Sequence, residues 1–316
     1  MTLRTVTIFG GSGFVGRQLV QALARRGVVV RVATRDVKRV LHMKTSGAVG
    51  QVVPMRCNPT DAASVAGAVA GADAVINLIG ILYERGKNTF QRMHVDVPEM
   101  IARAAAQASI QHMVHISALG ADANATSRYA QSKAMGEAAL RAAHPDAVIL
   151  RPSIIFGPED DFFNRFARMC SWSPALPLIG GGKNKFQPVY VGDVVSAILT
   201  VLDNPITHGQ TYELGGPAIY SFEQLLNYIM QQTGRKRMLC PLNYDIANII
   251  AGVMQIFPRP MITRDQILQL KKDNLVGGRA QNLQSLGIIP TAMEAIVPAY
   301  LAAYRVGGRF AEMAQA

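Results

Sequence analysis

The stretch Thr5-Val6-Thr7-Ile8-Phe9-Gly10-Gly11-Ser12-Gly13-Phe14-Val15-Gly16 decides the fold. A β-branched strand runs directly into glycines at positions 10, 13 and 16, and then into a helix with Phe14, Val15, Leu19, Val20 and Leu23 on one face. In such a strand-turn-helix unit Gly10 takes the tight turn and Gly13 lets the backbone approach a pyrophosphate. Gly16 lets the helix pack close to the strand, and unbonded N–H groups point at the anion. These twelve residues predict a dinucleotide-binding unit at the head of the chain.

Working outward, residues 28–33, 51–55, 74–79, 112–117 and 147–150 read as short, almost wholly apolar strands, with helices over 96–107 and 129–143. Strands of that kind are buried on both faces, so the rhythm predicts an α/β fold, a Rossmann-type doubly wound parallel sheet. Past Arg151 the punctuation changes to Gly157-Pro158, Ser173-Pro174, Pro177 and Gly180-Gly181-Gly182, which marks loops and a smaller C-terminal lobe. The expected division is a nucleotide domain over 1–155, rejoined at about 187–215, and a substrate- or partner-binding lobe over 156–316. In that lobe Ser221 begins a capped amphipathic helix that Gly234 ends.

Composition narrows the function. With 316 residues, 49% of them hydrophobic, the chain can bury a large core. The formal charge of +11 allows an anionic partner, yet the basic residues are scattered and no aromatic-interleaved basic stripe occurs, so nucleic acid is not expected. Cys57, Cys170 and Cys240 are far apart and unpaired in pattern, which fits a reducing compartment. The first strand starts almost at Met1, leaving no room for a signal or transit peptide, and no apolar run reaches the roughly 18 residues of a membrane span. His94, His112 and His115 match no metal-ligand spacing, and no metal site is expected.

Chemistry gathers around Ser117, Tyr129 and Lys133. Tyr129 and Lys133 stand four apart on a helix and share a face, and Ser117 closes a strand just before them. Tyr129 can exchange a proton with a carbonyl or hydroxyl, Ser117 can hydrogen-bond the same group, and Lys133 lowers the phenol's pKa and can hold a ribose. Cofactor choice turns on the end of the second strand, Thr34-Arg35-Asp36. Arg35, with Lys38 and Arg39 behind it, suits a 2′-phosphate and points to NADP(H) over NAD(H), while Asp36 argues the other way.

Gly10-x-x-Gly13-x-x-Gly16, Asn77-Leu78-Ile79-Gly80, Ser117, Tyr129-x-x-x-Lys133 and Arg151-Pro152-Ser153-Ile154-Ile155-Phe156-Gly157-Pro158 together resemble the extended, atypical short-chain dehydrogenase/reductase superfamily. Gln187-Pro188-Val189-Tyr190-Val191-Gly192-Asp193-Val194 resembles the segment where such chains return to the nucleotide domain. The resemblance implies cofactor contacts at Gly10, Gly13, Phe14, Val15, Gly16, Arg35, Asn77, Gly80, Tyr129, Lys133, Pro152 and Ile154. Asn58 stands where relatives often carry an adenine-contacting aspartate, a departure that keeps hydrogen bonding.

A narrower resemblance rests on Phe257-Pro258-Arg259-Pro260-Met261-Ile262-Thr263-Arg264-Asp265-Gln266 and Leu286-Gly287-Ile288-Ile289-Pro290-Thr291, joined by Arg128-Tyr129 and Ala134-Met135-Gly136-Glu137. These are similar to the dehydrogenase-like accessory subunits of respiratory complex I, the alpha-subcomplex subunit nine family and its bacterial relatives. That resemblance implies a tightly held, mainly structural NADPH. It also implies complex I partners at the junction of the peripheral and membrane arms, and a peripheral place on the cytoplasmic face of a bacterial inner membrane or the matrix side of its mitochondrial counterpart. Ile246, Ile249, Ile250, Val253, Met254 and Phe257, flanked by Tyr244 and Arg259, form one helical face that suits an anionic lipid surface, a partner helix or the lobe's own core. Two functions stay open: a structural accessory subunit, or a working NADP-dependent oxidoreductase or epimerase/dehydratase acting on a carbonyl or alcohol.

Overall fold

The computed structural model describes residues 3–257 and 260–308; Met1, Thr2, Pro258, Arg259 and residues 309–316 lie outside the described residues. One main sheet is built from β1 (Thr5–Phe9), β2 (Val29–Thr34), β3 (Val52–Arg56), β4 (Ala74–Asn77), β5 (His112–Ile116), β6 (Val148–Pro152), β7 (Thr211–Leu214) and β8 (Gln281–Asn282). Its order is β8-β7-β6-β5-β4-β1-β2-β3 and every pairing is parallel. Order reverses between β1 and β4, the crevice where open α/β sheets bind ligands at the strands' carboxyl ends.

Helices cover both faces, which is why the central strands bury apolar residues such as Ile8, Phe9, Val75 and Ile76 on both sides. On one face α2 (Ala62–Val69), α3 (Val97–Gln107) and α4 (Arg128–Ala143) close over Phe9, Val75, Met113 and Ile149. On the other, α1 (Phe14–Arg25) packs beside α5 (Val191–Asp203) and buries Leu19, Val20 and Leu23 as the periodicity predicts. Phe14 and Val15, expected on that buried face, are only half-buried. The helix predicted over 96–107 is preceded by a π-helical turn, Gln91–Asp96.

Two compact units emerge. The first holds the chain up to Pro152 together with Val191–Leu214 and Arg279–Ile288. The return segment therefore begins four residues later than its expected start at 187. Arg279–Ile288, expected in the smaller lobe, supplies edge strand β8, pairing Tyr212 with Gln281 and Glu213 with Asn282. Among the described residues, the second unit holds Ser153–Tyr190, Gly215–Gly278 and those from Ile289 onward. Its core gathers Phe156, Phe163, Leu176, Phe186, Phe222, Leu225 and Val297. Its Phe222–Thr233 helix starts in a capping box, Ser221 with Gln224, and stops at Gly234, whose φ of 63° is left-handed.

Candidate functional site

Gly10 follows β1 with φ +80°, and a Cβ there would lie 2.9 Å from the Leu78 carbonyl carbon, so β1 and the end of β4 converge only because that atom is absent. A Cβ on Gly16 would lie 2.5 Å from Gly11 Cα; this contact sets α1 against the turn itself. Gly11, which the sequence reading passed over, sits under the same contact and 3.0 Å from Val32 by the same measure. Gly13 N–H donates to Gly10 O at 3.0 Å, and the first bond of α1 runs from Arg17 N–H to Gly13 O at 3.0 Å. The N–H groups of Phe14, Val15 and Gly16 precede that bond and carry no helical partner. They form the positive end of a twelve-residue helix with no acidic residue in its first turn.

Ser117, Tyr129 and Lys133 come together with two histidines. Lys133 is buried, and its Nζ donates to Ile116 O at 3.2 Å, which leaves two of three protons for another acceptor. Burial pushes its pKa down to about 8, against the opposing pull of Glu137. Ser117 is buried beside the end of β5 with no partner for Oγ. The Tyr129 ring meets His94 and Phe90 edge to face, at 5.3 and 5.8 Å between centroids.

His94 accepts the Ile81 N–H on Nε2 at 3.1 Å, so Nδ1 carries the proton and donates to Ser132 Oγ at 2.9 Å. Ser132 in turn donates to Tyr129 O at 2.8 Å. Burial, helped by the Lys133 charge, lowers the His94 pKa to about 3 and keeps the ring neutral. His115, two residues before Ser117, is likewise held well below its ordinary value by burial and by Lys133. Gly136 brings these elements into register: a Cβ there would lie 1.7 Å from His94 O, so α4 rests directly on the π turn.

The remaining expected residues divide. Asn77 is wholly buried, its Oδ1 accepting the Ile79 N–H at 3.0 Å and its Nδ2 donating to His115 Nδ1 at 3.1 Å. What it offers the site is the placement of the turn to Gly80, where an added Cβ would sit 3.5 Å from Lys133 Nζ. Arg35 is exposed at the end of β2. Asp36 beside it is engaged locally, accepting the Lys38 N–H at 3.1 Å and pairing with Arg39 at 3.4 Å. That leaves Arg35 and Lys38 as outward charges there. Asn58 is exposed after β3 and accepts from Thr60 at 3.0 Å. Pro152 ends β6 and accepts the Leu119 N–H at 3.0 Å, whereas Ile154 is half-buried in the second unit.

The donors present fit a nicotinamide dinucleotide: free amides and a cradle that a Cβ would fill suit the pyrophosphate, and two Lys133 protons with an unpartnered Ser117 hydroxyl suit the ribose diol and a carbonyl. His94, His115, Gly11 and Gly136 were missed as contributors. Only for His115 did the sequence hold a signal, because period two places it on the same strand face as Ser117.

The NAD dependent epimerase/dehydratase family model matches residues 6–215. The chain is 37% identical to the Arabidopsis thaliana protein named NADH dehydrogenase [ubiquinone] 1 alpha subcomplex subunit 9, mitochondrial, over 96% of this chain and 78% of that one. Against the Rattus norvegicus protein of the same name it is 34% identical, over 91% and 77%. Among solved structures, a triphenylmethane reductase from Citrobacter superposes with a TM-score of 0.74 at 19% identity, covering 94% of this chain and 99% of that one, a likeness of fold.

Proposed function

Since the chain belongs to the NAD dependent epimerase/dehydratase family and groups with the alpha subcomplex subunit 9 proteins, we propose that it is a dinucleotide-holding accessory subunit of respiratory complex I. The observation that carries this reading is the reach of the similarity. It continues past residue 215, where the family match ends, and covers 96% of the chain. In this reading the nucleotide is NADP(H), with exposed Arg35 taking the 2′-phosphate and Asp36 occupied by its own helix cap and Arg39. Its role is to brace the first unit, because a ligand bound only by the folded chain stabilises it.

The second unit supports a peripheral place at the junction of the peripheral and membrane arms. On its Tyr244–Met254 helix only Ala247 and Ala251 are buried, and Ile249 and Val253 are 67% and 57% exposed. Ile256 and Phe257 continue the exposed stripe. Arg264 and Lys271 lie against this helix, Arg264 reaching Asn248 O and Lys271 standing over the Tyr244 ring. Apolar side chains edged with cations suit an anionic lipid surface. Among the described residues no helix is long and apolar enough to cross a membrane. The surface in question is the cytoplasmic face of a bacterial inner membrane, or the matrix face in a mitochondrion.

A second reading, a working oxidoreductase or epimerase, is favoured by buried Ser117 and Lys133 with half-buried Tyr129 beside them. Bound nicotinamide would supply or accept hydride. Tyr129 would move the proton at the substrate oxygen, Ser117 would hold that oxygen, and Lys133 would ease the phenol's ionisation.

Affinity purification of the full chain from its native cells tests the proposal. It should carry NADP(H), identified by mass spectrometry, and bring complex I subunits with it. A chain that arrives without nucleotide or without those subunits overturns it. Tyr129→Phe separates the readings, since it should keep the nucleotide in both and abolish turnover only in an enzyme.

A further inference from the structure

Trp172, the one tryptophan of the chain, closes the helix Phe162–Trp172 of the second unit and is 67% exposed. Met238, 70% exposed, has its backbone held close by: its N–H donates to Pro174 O at 3.2 Å, and Arg237 Nε donates to Cys170 O at 2.8 Å. Trp172 stands between those two acceptors in sequence, so Arg237 and Met238 are pinned against its end of the helix. Tryptophan is highly buried on average, and one this open with a second apolar residue next to it marks a contact surface.

Cations gather here and acids do not. Arg168 is exposed one turn before Trp172 on the same helical face, and Lys236 is exposed next to Arg237. Arg235 donates to Tyr304 O at 3.1 Å, which ties a third segment to the other two. Neither 162–192 nor 224–244 contains an aspartate or glutamate. Among the described residues Arg168, Arg235, Lys236 and Arg237 have no acidic partner.

The complement of such a patch is an anionic surface. Two apolar side chains fall far short of the roughly 800 Å² that each partner gives to a stable protein interface. In the headgroup layer of an anionic bilayer they suffice, because tryptophan favours that layer and each lysine or arginine near it adds to the attraction. We propose that Trp172 and Met238, with Arg168, Lys236 and Arg237, insert into the headgroup layer of an anionic bilayer as a second contact beside the Tyr244–Met254 stripe. The strand Met238–Leu242 leads from this patch to that helix, so at most about 20 Å of extended chain separates Met238 from Tyr244. Two weak contacts on one membrane hold where either alone does not. The inference rests on the peripheral-membrane part of the proposed function and names a further surface for it.

Fluorescence of the full chain with its nucleotide bound tests the patch, because Trp172 is the sole tryptophan and its emission reports on this place alone. Vesicles of phosphatidylglycerol mixed with phosphatidylcholine should move that emission to shorter wavelength, and brominated acyl chains in them should quench it. Vesicles of phosphatidylcholine by itself should do neither. Arg168→Gln with Lys236→Gln should weaken binding to the mixed vesicles by about thirtyfold. Flotation of the wild type with Trp172 emission unshifted would overturn this inference and leave the lipid-facing reading of the Tyr244–Met254 helix standing; no flotation at all would remove both. Equal shifts on the two kinds of vesicle, or undiminished binding of the double variant, would also overturn it. A shift with poly-L-glutamate and none with vesicles would do the same by assigning the patch to an acidic protein.

Discussion

Gly136 makes the tightest approach in the candidate site, and it is a demand of packing rather than of backbone freedom. Alanine there would press on His94 O, so Gly136→Ala should cost about 3 kcal/mol or more in urea denaturation and take nucleotide retention with it. Gly67 is the contrast, an exposed helical glycine with nothing near its missing Cβ. Gly67→Ala should stabilise by about 0.5–1 kcal/mol in the same assay. The titratable groups behind Tyr129 set a pH dependence of known sign. His94 refuses a proton until about pH 3 in the fold, while the unfolded chain binds one near 6.5, so stability is intact above 6.5 and falls as pH drops through that window. Thermal melts from pH 7 to pH 4 should show a shallower decline in His94→Gln. On the alkaline side Lys133 gives up its proton near pH 8 when folded and near 10.5 when unfolded, so nucleotide-free stability should gain between those values relative to Lys133→Met.

At the scale of elements, the π turn Gln91–Asp96 and helix α4 act as one piece. The π turn carries His94 inward, α4 carries Tyr129, Ser132 and Lys133, and the Ser132 link joins them. The far half of α4 is anchored differently, through Glu137 and the forked Arg151 at 2.6 and 2.9 Å, with Glu213 at 3.6 Å from the same guanidinium. The Tyr244–Met254 helix has the opposite character, one narrow alanine seam inside and isoleucines outside. Ile249→Asp with Val253→Asp should therefore change folding stability by no more than about 0.5 kcal/mol. The same pair should abolish binding to phosphatidylglycerol vesicles in a flotation assay, and undiminished flotation would remove the lipid surface from the proposal.

For the whole molecule the governing quantity is the linkage between nucleotide and fold. At a hundredfold excess over Kd, the dinucleotide adds about 2.7 kcal/mol to the folded state, enough to raise the melting temperature by several degrees. NADP(H) should give the larger rise and NAD(H) the smaller, and Arg35→Asp should narrow or reverse the difference. Equal rises in the wild type would leave Arg35 without the role proposed for it. Melting followed separately in each unit should place the nucleotide's effect in the first, which holds the cradle, Ser117, Tyr129 and Lys133.

The glycine spacing, the apolar strands and the Tyr129–Lys133 pair were legible because each is local: a turn, a period of two and a period of 3.6 are written in neighbouring residues. From them came the parallel sheet, and the proposal for the cradle and the three polar groups rests on the same local signals. Contacts between residues far apart in the chain could not be read that way. Gly136 against His94, Asn77 against His115, the recruitment of Arg279–Ile288 as an edge strand, and the outward turn of the Tyr244–Met254 stripe each depend on which surfaces meet. A hydrophobic period states that a face will be covered; only the assembled chain decides what covers it.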